Sequence, residues 1–287
     1  MDSFSTQSHT LYVVATPIGN LQDITPRALD VLRSVTIIAA EDTRHSRRLL
    51  THYDIHTPLQ SLHEHNERAA SEKLIARLKL GESIALVSDA GTPLVSDPGA
   101  HLVSAVHLAE LSVIAIPGPS ALISALSIAG MPADRFVFQG FLPPKATTRR
   151  QQLDSLTTES RTLVFYEAPH RILDTLRDML AIFGENRQAA IIKELTKRHE
   201  TVRRNTLAGL LQWLINEPAR QKGEFVLVVA GNDVVQDVDE QEADRVLGIL
   251  LKALPTGEAA KLTSELTGLP KKKLYERALR LKNKENR

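Results

Sequence analysis

Short apolar runs alternate with longer amphipathic stretches through the first two thirds of the chain, and that alternation predicts its elements. Residues 11–15, 35–40, 59–62, 84–87 and 113–116 read as strands, that over 35–40 apolar on both faces as in a buried parallel sheet. Thr25 then Pro26 reads as an N-cap with proline at the first helical position, opening a helix through about residue 32. Further helices are predicted to about residue 52, to about residue 80 with Gly81 just beyond its end, over 100–108, and from 120 to Gly130. Strand-like runs at 136–141, 162–166, 189–192 and 225–229 then alternate with helices near 151–156, 172–183 and 207–215, a second α/β unit with a mixed sheet. Residues 232–240, acidic and poor in apolar residues apart from Val, read as a linker. Beyond it helical periodicity returns without strands. Residues 257–266, the turn Thr267-Gly-Leu-Pro270 and residues 271–281 have the proportions of a helix-turn-helix. The expected organisation is α/β: a parallel α/β domain over 11–118, a second α/β domain over 119–231, and a small basic helical C-terminal domain over 241–287.

The connections are more informative than the strands. The run from Asp89 to Gly99, Asp89-Ala-Gly-Thr-Pro-Leu-Val-Ser-Asp-Pro-Gly99, packs more turn chemistry between a strand and a helix than a connector of ~2–6 residues requires. An ordinary capped turn would explain part of it. A rigid ligand cradle at the carboxyl end of a parallel strand explains all of it, because open α/β sheets bind ligands there.

Composition narrows the classes. A hydrophobic content of 43% supports sizeable cores in a chain of 287 residues. The apolar runs are too short for a membrane span, and the polar N-terminus lacks the pattern of a secretory signal, so a cytoplasmic protein is expected. Zero Cys removes disulfides, thiol nucleophiles and Cys-zinc sites. From Gln241 onward eleven Lys or Arg face six Asp or Glu, an excess of five positive charges. The net charge is +1, so the first 240 residues carry −4. A basic appendage of this kind either meets an anionic partner or is a solvated surface. The dinucleotide fingerprint, the P-loop and the G-x-S-x-G elbow are absent from the sequence. His63 and His65 have no third ligand at metal spacing, so no metal is expected.

Five motifs carry a more specific resemblance. Thr16-Pro-Ile-Gly-Asn20, Glu41-Asp-Thr-Arg44, His63-Glu-His-Asn-Glu67, the Asp89–Gly99 run and Pro117-Gly-Pro-Ser-Ala121 occur in this order. Together they resemble the tetrapyrrole-methylase superfamily of S-adenosylmethionine (SAM) enzymes. Within it they are similar to the small-subunit ribosomal RNA methyltransferase I family, which methylates a cytidine ribose 2′-hydroxyl in 16S ribosomal RNA. The likeness spans about residues 11–231. It implies two α/β domains with SAM in the cleft between them, as a homodimer. It also implies cofactor contacts from Pro17, Asp89, Ala90, Gly91, Leu94, Ser120, Ala121, Tyr166 and Leu195. The first loop departs from the tetrapyrrole branch, which there reads closer to Gly-Pro-Gly-Asp.

Most of these residues have a plainer structural role as well. Ser120 is a natural N-cap, and Asp89 could cap a turn. Arg44, Arg47 and Arg48 could be a solvated helix face or could position phosphate. A ribose hydroxyl needs a base or charge-stabilising group, for which Glu64, Glu167 and His63 are the candidates. Arg44, Asn66, Lys271, Lys272 and Lys273 are candidates for the RNA or small-subunit partner, with Arg277, Arg280 and Lys282 in the same basic tail. The rival readings are a methyltransferase of a small molecule or protein side chain, and a non-enzymatic RNA-binding module.

Overall fold

In a computed structural model of the chain, residues 6–232 and 235–285 are described, the side chains of 235–241 and 282–285 excepted. Contacts divide the molecule into a unit of residues up to 154 with 162–230, and a second unit of 155–161 with 231–287.

The first unit contains two sheets. One has the order β3-β2-β4-β1-β5, formed by β1 (Thr10–Val14), β2 (Ile37–Ala40), β3 (Leu59–Ser61), β4 (Ser83–Val87) and β5 (Ser112–Ile116), every pairing parallel. The parallel crossovers need helices on both faces, and the pattern supplies them. Helices α1 (Pro26–Ser34) and α2 (Thr43–His52) bury Val31, Leu32, Leu49 and Leu50 against Tyr12, Val14, Ile38 and Ala85. On the opposite face α3 (Glu67–Lys79) and α4 (Ala100–Leu108) bury Leu74, Leu78, Leu102 and Val106 against Leu11, Ile37, Ile84 and Leu86. The Thr25 hydroxyl accepts from Ala28 N, the predicted cap, and Gly81 takes φ +96° two residues after α3.

The second sheet follows α5 (Ala121–Ile128). Its order is β6-β7-β10-β8-β9, formed by β6 (Phe136–Phe141), β7 (Thr162–Glu167), β8 (Gln188–Lys193), β9 (Thr201–Thr206) and β10 (Phe225–Val229). Only β6 and β7 run parallel, so the sheet is mixed, as expected. Leu122, Ala125 and Leu126 of α5 pack on Val164, Ala190, Ile192 and Val228. The helices α6 (Ala146–Asp154), α7 (Ile172–Phe183) and α8 (Leu207–Ile215) complete this half.

Two segments differ from the sequence reading. The strand β9 was not anticipated: its residues TVRRNT carry no apolar alternation, and it survives as an edge strand by pairing with β8. The supposed linker at 232–240 is largely helical, because α9 (Val235–Leu251) begins inside it.

In the second unit, α9, α10 (Thr256–Thr267) and α11 (Lys271–Glu285) share a small core. Ala243 and Leu247 of α9 pack with Ala259 and Ala260 of α10 and with Leu274 and Ala278 of α11. Gly268 ends α10 in the left-handed conformation, φ +73°, where the turn was read. A bidentate Arg277–Asp244 pair at 2.7 Å fastens α11 to α9, so Arg277 has a structural partner.

Candidate functional site

The carboxyl ends of the parallel strands converge. Thr16, beyond β1, exchanges backbone hydrogen bonds with Gly91, beyond β4, at 2.8 and 2.9 Å. That bridge places Ile18 on one wall of a cavity of about 280 Å³, with Ala90, Gly91, Thr92, Val95, Ser96 and Asp97 beside it. Ser120 and Ala121 at the start of α5 add a second wall. The second sheet closes the site with Phe141 from β6, Tyr166 from β7, Ile192 and Leu195 around the end of β8, and Glu224, Phe225 and Val226 at the start of β10. Its volume lies near the lower end of the range for small-molecule sites, and its lining is mainly apolar with a few polar groups.

Strained backbone shapes the rim. Leu94 and Ser96 hold φ +73° and +71°, conformations that only a tightly over-determined loop sustains. Gly99 holds φ +124°, and a Cβ there would lie 2.7 Å from Leu86 Cδ2. The Glu67 carboxylate, from the start of α3, accepts from Gly99 N at 3.0 Å and His101 N at 2.8 Å, tying this loop to α3.

A row of carboxylates continues from the cavity toward β2. Asp89 Oδ1 accepts from Asp42 N at 3.0 Å, and Asp89 N lies 3.4 Å from Glu41 Oε2. Burial raises the Glu41 carboxyl above its ordinary value, and the charges of Asp89, Asp97 and Asp42 add to the effect. Burial likewise raises Asp97, against the hydrogen bond from Ser88. Burial also pushes the Tyr166 hydroxyl up, so it is neutral at physiological pH.

Of the sequence-derived cofactor residues, Ala90, Gly91, Ser120, Ala121, Tyr166 and Leu195 line the cavity. Pro17 sits between the bridged Thr16 and the lining Ile18. Asp89 adjoins the lining but turns its carboxylate toward Asp42. Leu94 points elsewhere: its side chain packs with the cluster under α3 and α4, because the left-handed backbone rotates it inward. Ser120 combines both readings, lining the cavity while its hydroxyl caps α5 at 3.5 Å from Ile123 N.

The three candidate bases are not brought together. His63 and Glu64 follow β3, at the far edge of the sheet, and neither lines the cavity. Glu167 does line it, but its fully buried carboxylate accepts from Ala168 N and Thr175 Oγ1 and faces Arg171 Nε at 3.3 Å. Those bonds fix the loop after β7. Asn66 spends its amide on His63 N and Ser61 O within its own turn. Arg44 is held by Asp42 in a bidentate pair at 3.1 and 2.8 Å, which drives the Asp42 carboxyl far below its usual range. Arg47 and Arg48, one turn further along α2, are exposed and form no ion pair among the described residues. Lys271, Lys272 and Lys273 open α11 and are exposed, and the Lys282 side chain lies outside the described residues. Sequence reading missed Asp97 and Phe141 as lining residues. Asp97 stood inside the motif already singled out, whereas nothing local marks Phe141.

The sequence matches the family described as Tetrapyrrole (Corrin/Porphyrin) Methylases over residues 10–211. The chain belongs to the tetrapyrrole methylase family. Residues 237–282 match a second description, the RsmI C-terminal HTH domain, which covers α9 to α11 almost entirely. Among relatives of this chain, a ribosomal RNA small subunit methyltransferase I of Pseudomonas aeruginosa is 52% identical over 96% of this chain and 98% of its own length. Proteins of the same name from Xylella fastidiosa and Escherichia coli O157:H7 are 53% and 49% identical, over 93% and 94% of this chain and 97% and 94% of theirs. A uroporphyrin-III C-methyltransferase structure from Thermus thermophilus superposes with TM-score 0.55 at 20% identity, covering 81% of this chain and 98% of that one. A cobalt precorrin-4 methyltransferase gives TM-score 0.57 at 12% identity, over 77% of this chain and 95% of that one. These two define the tetrapyrrole methylase fold and leave the substrate open.

Proposed function

We propose that this protein transfers a methyl group from SAM to the ribose 2′-hydroxyl of a cytidine in 16S ribosomal RNA, acting in the cytoplasm as a homodimer. The observation that carries the reading is the convergence of the loops after β1, β4 and β5 with the ends of β7, β8 and β10 on one apolar cavity. Near-full-length relatives at about half identity carry the small-subunit methyltransferase name, which selects ribosomal RNA among the substrates of the fold.

The donor set fits SAM. Ile18, Tyr166, Leu195, Phe225 and Val226 offer apolar walls for an adenosine, and the Asp97 carboxylate in the lining, with Glu41 beyond it, sits where a cation gains from it. SAM when bound supplies a methyl on a cationic sulfur, lost in an in-line displacement. The chain must therefore hold the acceptor oxygen at near-attack distance, about 3–3.5 Å, and keep water out. The rigid loop over residues 88–99 serves the first task. Asp97, which lines the cavity, can accept the hydroxyl proton, its raised basicity suiting that role, whereas Glu167 is engaged by Thr175 and Arg171. Exposed cations on α2 (Arg47, Arg48) and α11 (Lys271, Lys272) face phosphates. Exposed Ile123 and Ile128 on α5 supply an apolar surface for the second copy, to be checked by sedimentation.

The decisive experiment compares ribose methylation of 16S RNA in cells with and without the protein, alongside transfer from labelled SAM to purified small subunits. Loss of one cytidine methylation in the absence of the protein is expected. An unchanged methylation map would overturn the proposal. Methylation of a small molecule is the second reading, allowed by the apolar cavity, and label appearing in a tetrapyrrole instead of RNA would establish it.

A further inference from the structure

Phe141 is out of keeping with the rest of the chain. Aromatic residues make up 4% of the sequence, and among the described residues only Phe141 and Tyr275 stand in the exposed class. Phe141 is 54% exposed at the rim of the cavity. An exposed ring forfeits hydrophobic stabilisation, and the local backbone is built to keep it out. The register of β6 against β7 shifts between Phe138 and Gly140, and Gly140 takes φ +61°. A Cβ on Gly140 would lie 2.8 Å from Ser96 Oγ, on the loop after β4. Without the extra residue, alternation would send Phe138 and Phe141 to opposite faces. With it, both meet Tyr166 edge-on, at centroid distances of 4.9 and 5.6 Å.

Topology separates the two rings by task. Tyr166 belongs to β7, whose neighbours are β6 and β10, and the cavity is lined by the ends of β7, β10 and β8. β6 is the edge strand, so Phe141 stands at the outer margin while Tyr166 lies within. A ligand seated over β7 and β10 meets Tyr166, and the outer side of the Phe141 ring remains open to a second planar group. An unstacked base in single-stranded RNA is recognised by stacking on such a ring, and every base presents a π-face.

We propose that Phe141 is a substrate-binding residue, the stacking platform for the base of the acceptor nucleotide, which hangs its ribose into the cavity. The inference rests on the RNA-methylating reading above and adds the residue that grips the extruded nucleotide. Lys145, exposed four residues on, can meet a neighbouring phosphate.

The test uses the full-length protein, purified small subunits lacking the modification, and SAM. Phe141→Ala should lower kcat/KM for subunits about tenfold, chiefly through KM, with SAM affinity by calorimetry within about twofold of the parent. Phe141→Tyr and Phe141→Trp should restore KM, whereas Phe141→Leu, apolar but without a π-face, should not. A Leu variant equal to the parent would reduce the ring to apolar packing and overturn the proposal. Loss of SAM affinity in the Ala variant would assign the ring to the cofactor and also overturn it. Should the Ala variant melt early, the Leu and Tyr pair carries the comparison. Failure of the parent protein itself to methylate subunits would sink the functional reading, and this inference with it, before any variant is made.

Discussion

Glu41 and Asp97 are partly buried carboxylates that no cation pairs with among the described residues, and that sets their behaviour with pH. Their folded-state values are raised, so the folded state holds their protons more tightly than the unfolded chain does. Stability of the ligand-free protein should therefore fall as pH climbs from the ordinary carboxylate range through the raised values. Glu41→Gln with Asp97→Asn should flatten that decline and raise Tm at pH 7 by on the order of 2 °C, read by calorimetry across pH. The same pair should weaken SAM more than its demethylated product, which lacks the sulfonium charge. Equal losses for both ligands would remove the electrostatic role. Glu167 is held instead by Ala168 N, Thr175 and Arg171. Glu167→Gln leaves the partly buried Arg171 without its counter-charge and should cost on the order of 2–3 kcal/mol in denaturant unfolding. At this scale the sequence revealed residue types and motif membership. It could not reveal that Glu167 and Asn66 spend their polar groups on their own loops, since burial and partners come from residues distant in the chain.

The helices α2 and α11 both carry cations in their first two turns, and on α11 they sit against the helix dipole. Lys271 and Lys272 occupy the positive end, with no acidic residue in the first turn. That placement costs about 0.3–1 kcal/mol per charge and makes sense if the charge serves an external anion. Lys271→Glu with Lys272→Glu should raise the melting temperature of the helical unit while weakening RNA binding. The salt dependence of that binding should lose about one unit of slope for each lysine that meets a phosphate. A slope equal to the parent's would exclude the pair from the interface. The loop over residues 88–99 is the other element whose chemistry is local. Gly99→Ala forces a side chain into φ +124° and against Leu86, and should cost at least ~1 kcal/mol. Denaturation midpoints check it. Elements with a clear period were legible, and α1, α2, α7, α8 and β10 lie close to where the pattern puts them. β9 was illegible because an edge strand with polar residues on both faces has no period to read. The start of α9 was hidden because residues 235–240 are acidic and poor in apolar residues, while the spacing of Ala243 and Leu247 begins only beyond them.

On the scale of the whole molecule, the helical unit is a separate body of contacts, and its core requires all three helices. Truncation from Gly257 would strip the cover from Ala243 and Leu247 of α9, so the informative cut follows Ala230. The truncated protein should bind SAM within about twofold of the parent, while its affinity for subunits falls and becomes less sensitive to salt. RNA affinity equal to that of the full chain would show that the helices contribute nothing to it. The positions of most strands and helices and the order of the motifs were legible from the chain alone, because hydrophobic alternation and turn chemistry are local properties. So were the two sheets, the all-parallel character of the first and the presence of a helical tail. Tertiary structure decided which loops meet. It paired Thr16 with Gly91, turned Leu94 into the core, brought Asp97 and Phe141 to the cavity, and left His63 and Glu64 at the sheet's far edge. The physical reason is that adjacency of strand ends follows the sheet order β3-β2-β4-β1-β5, which is fixed by long-range packing and appears nowhere in the local pattern.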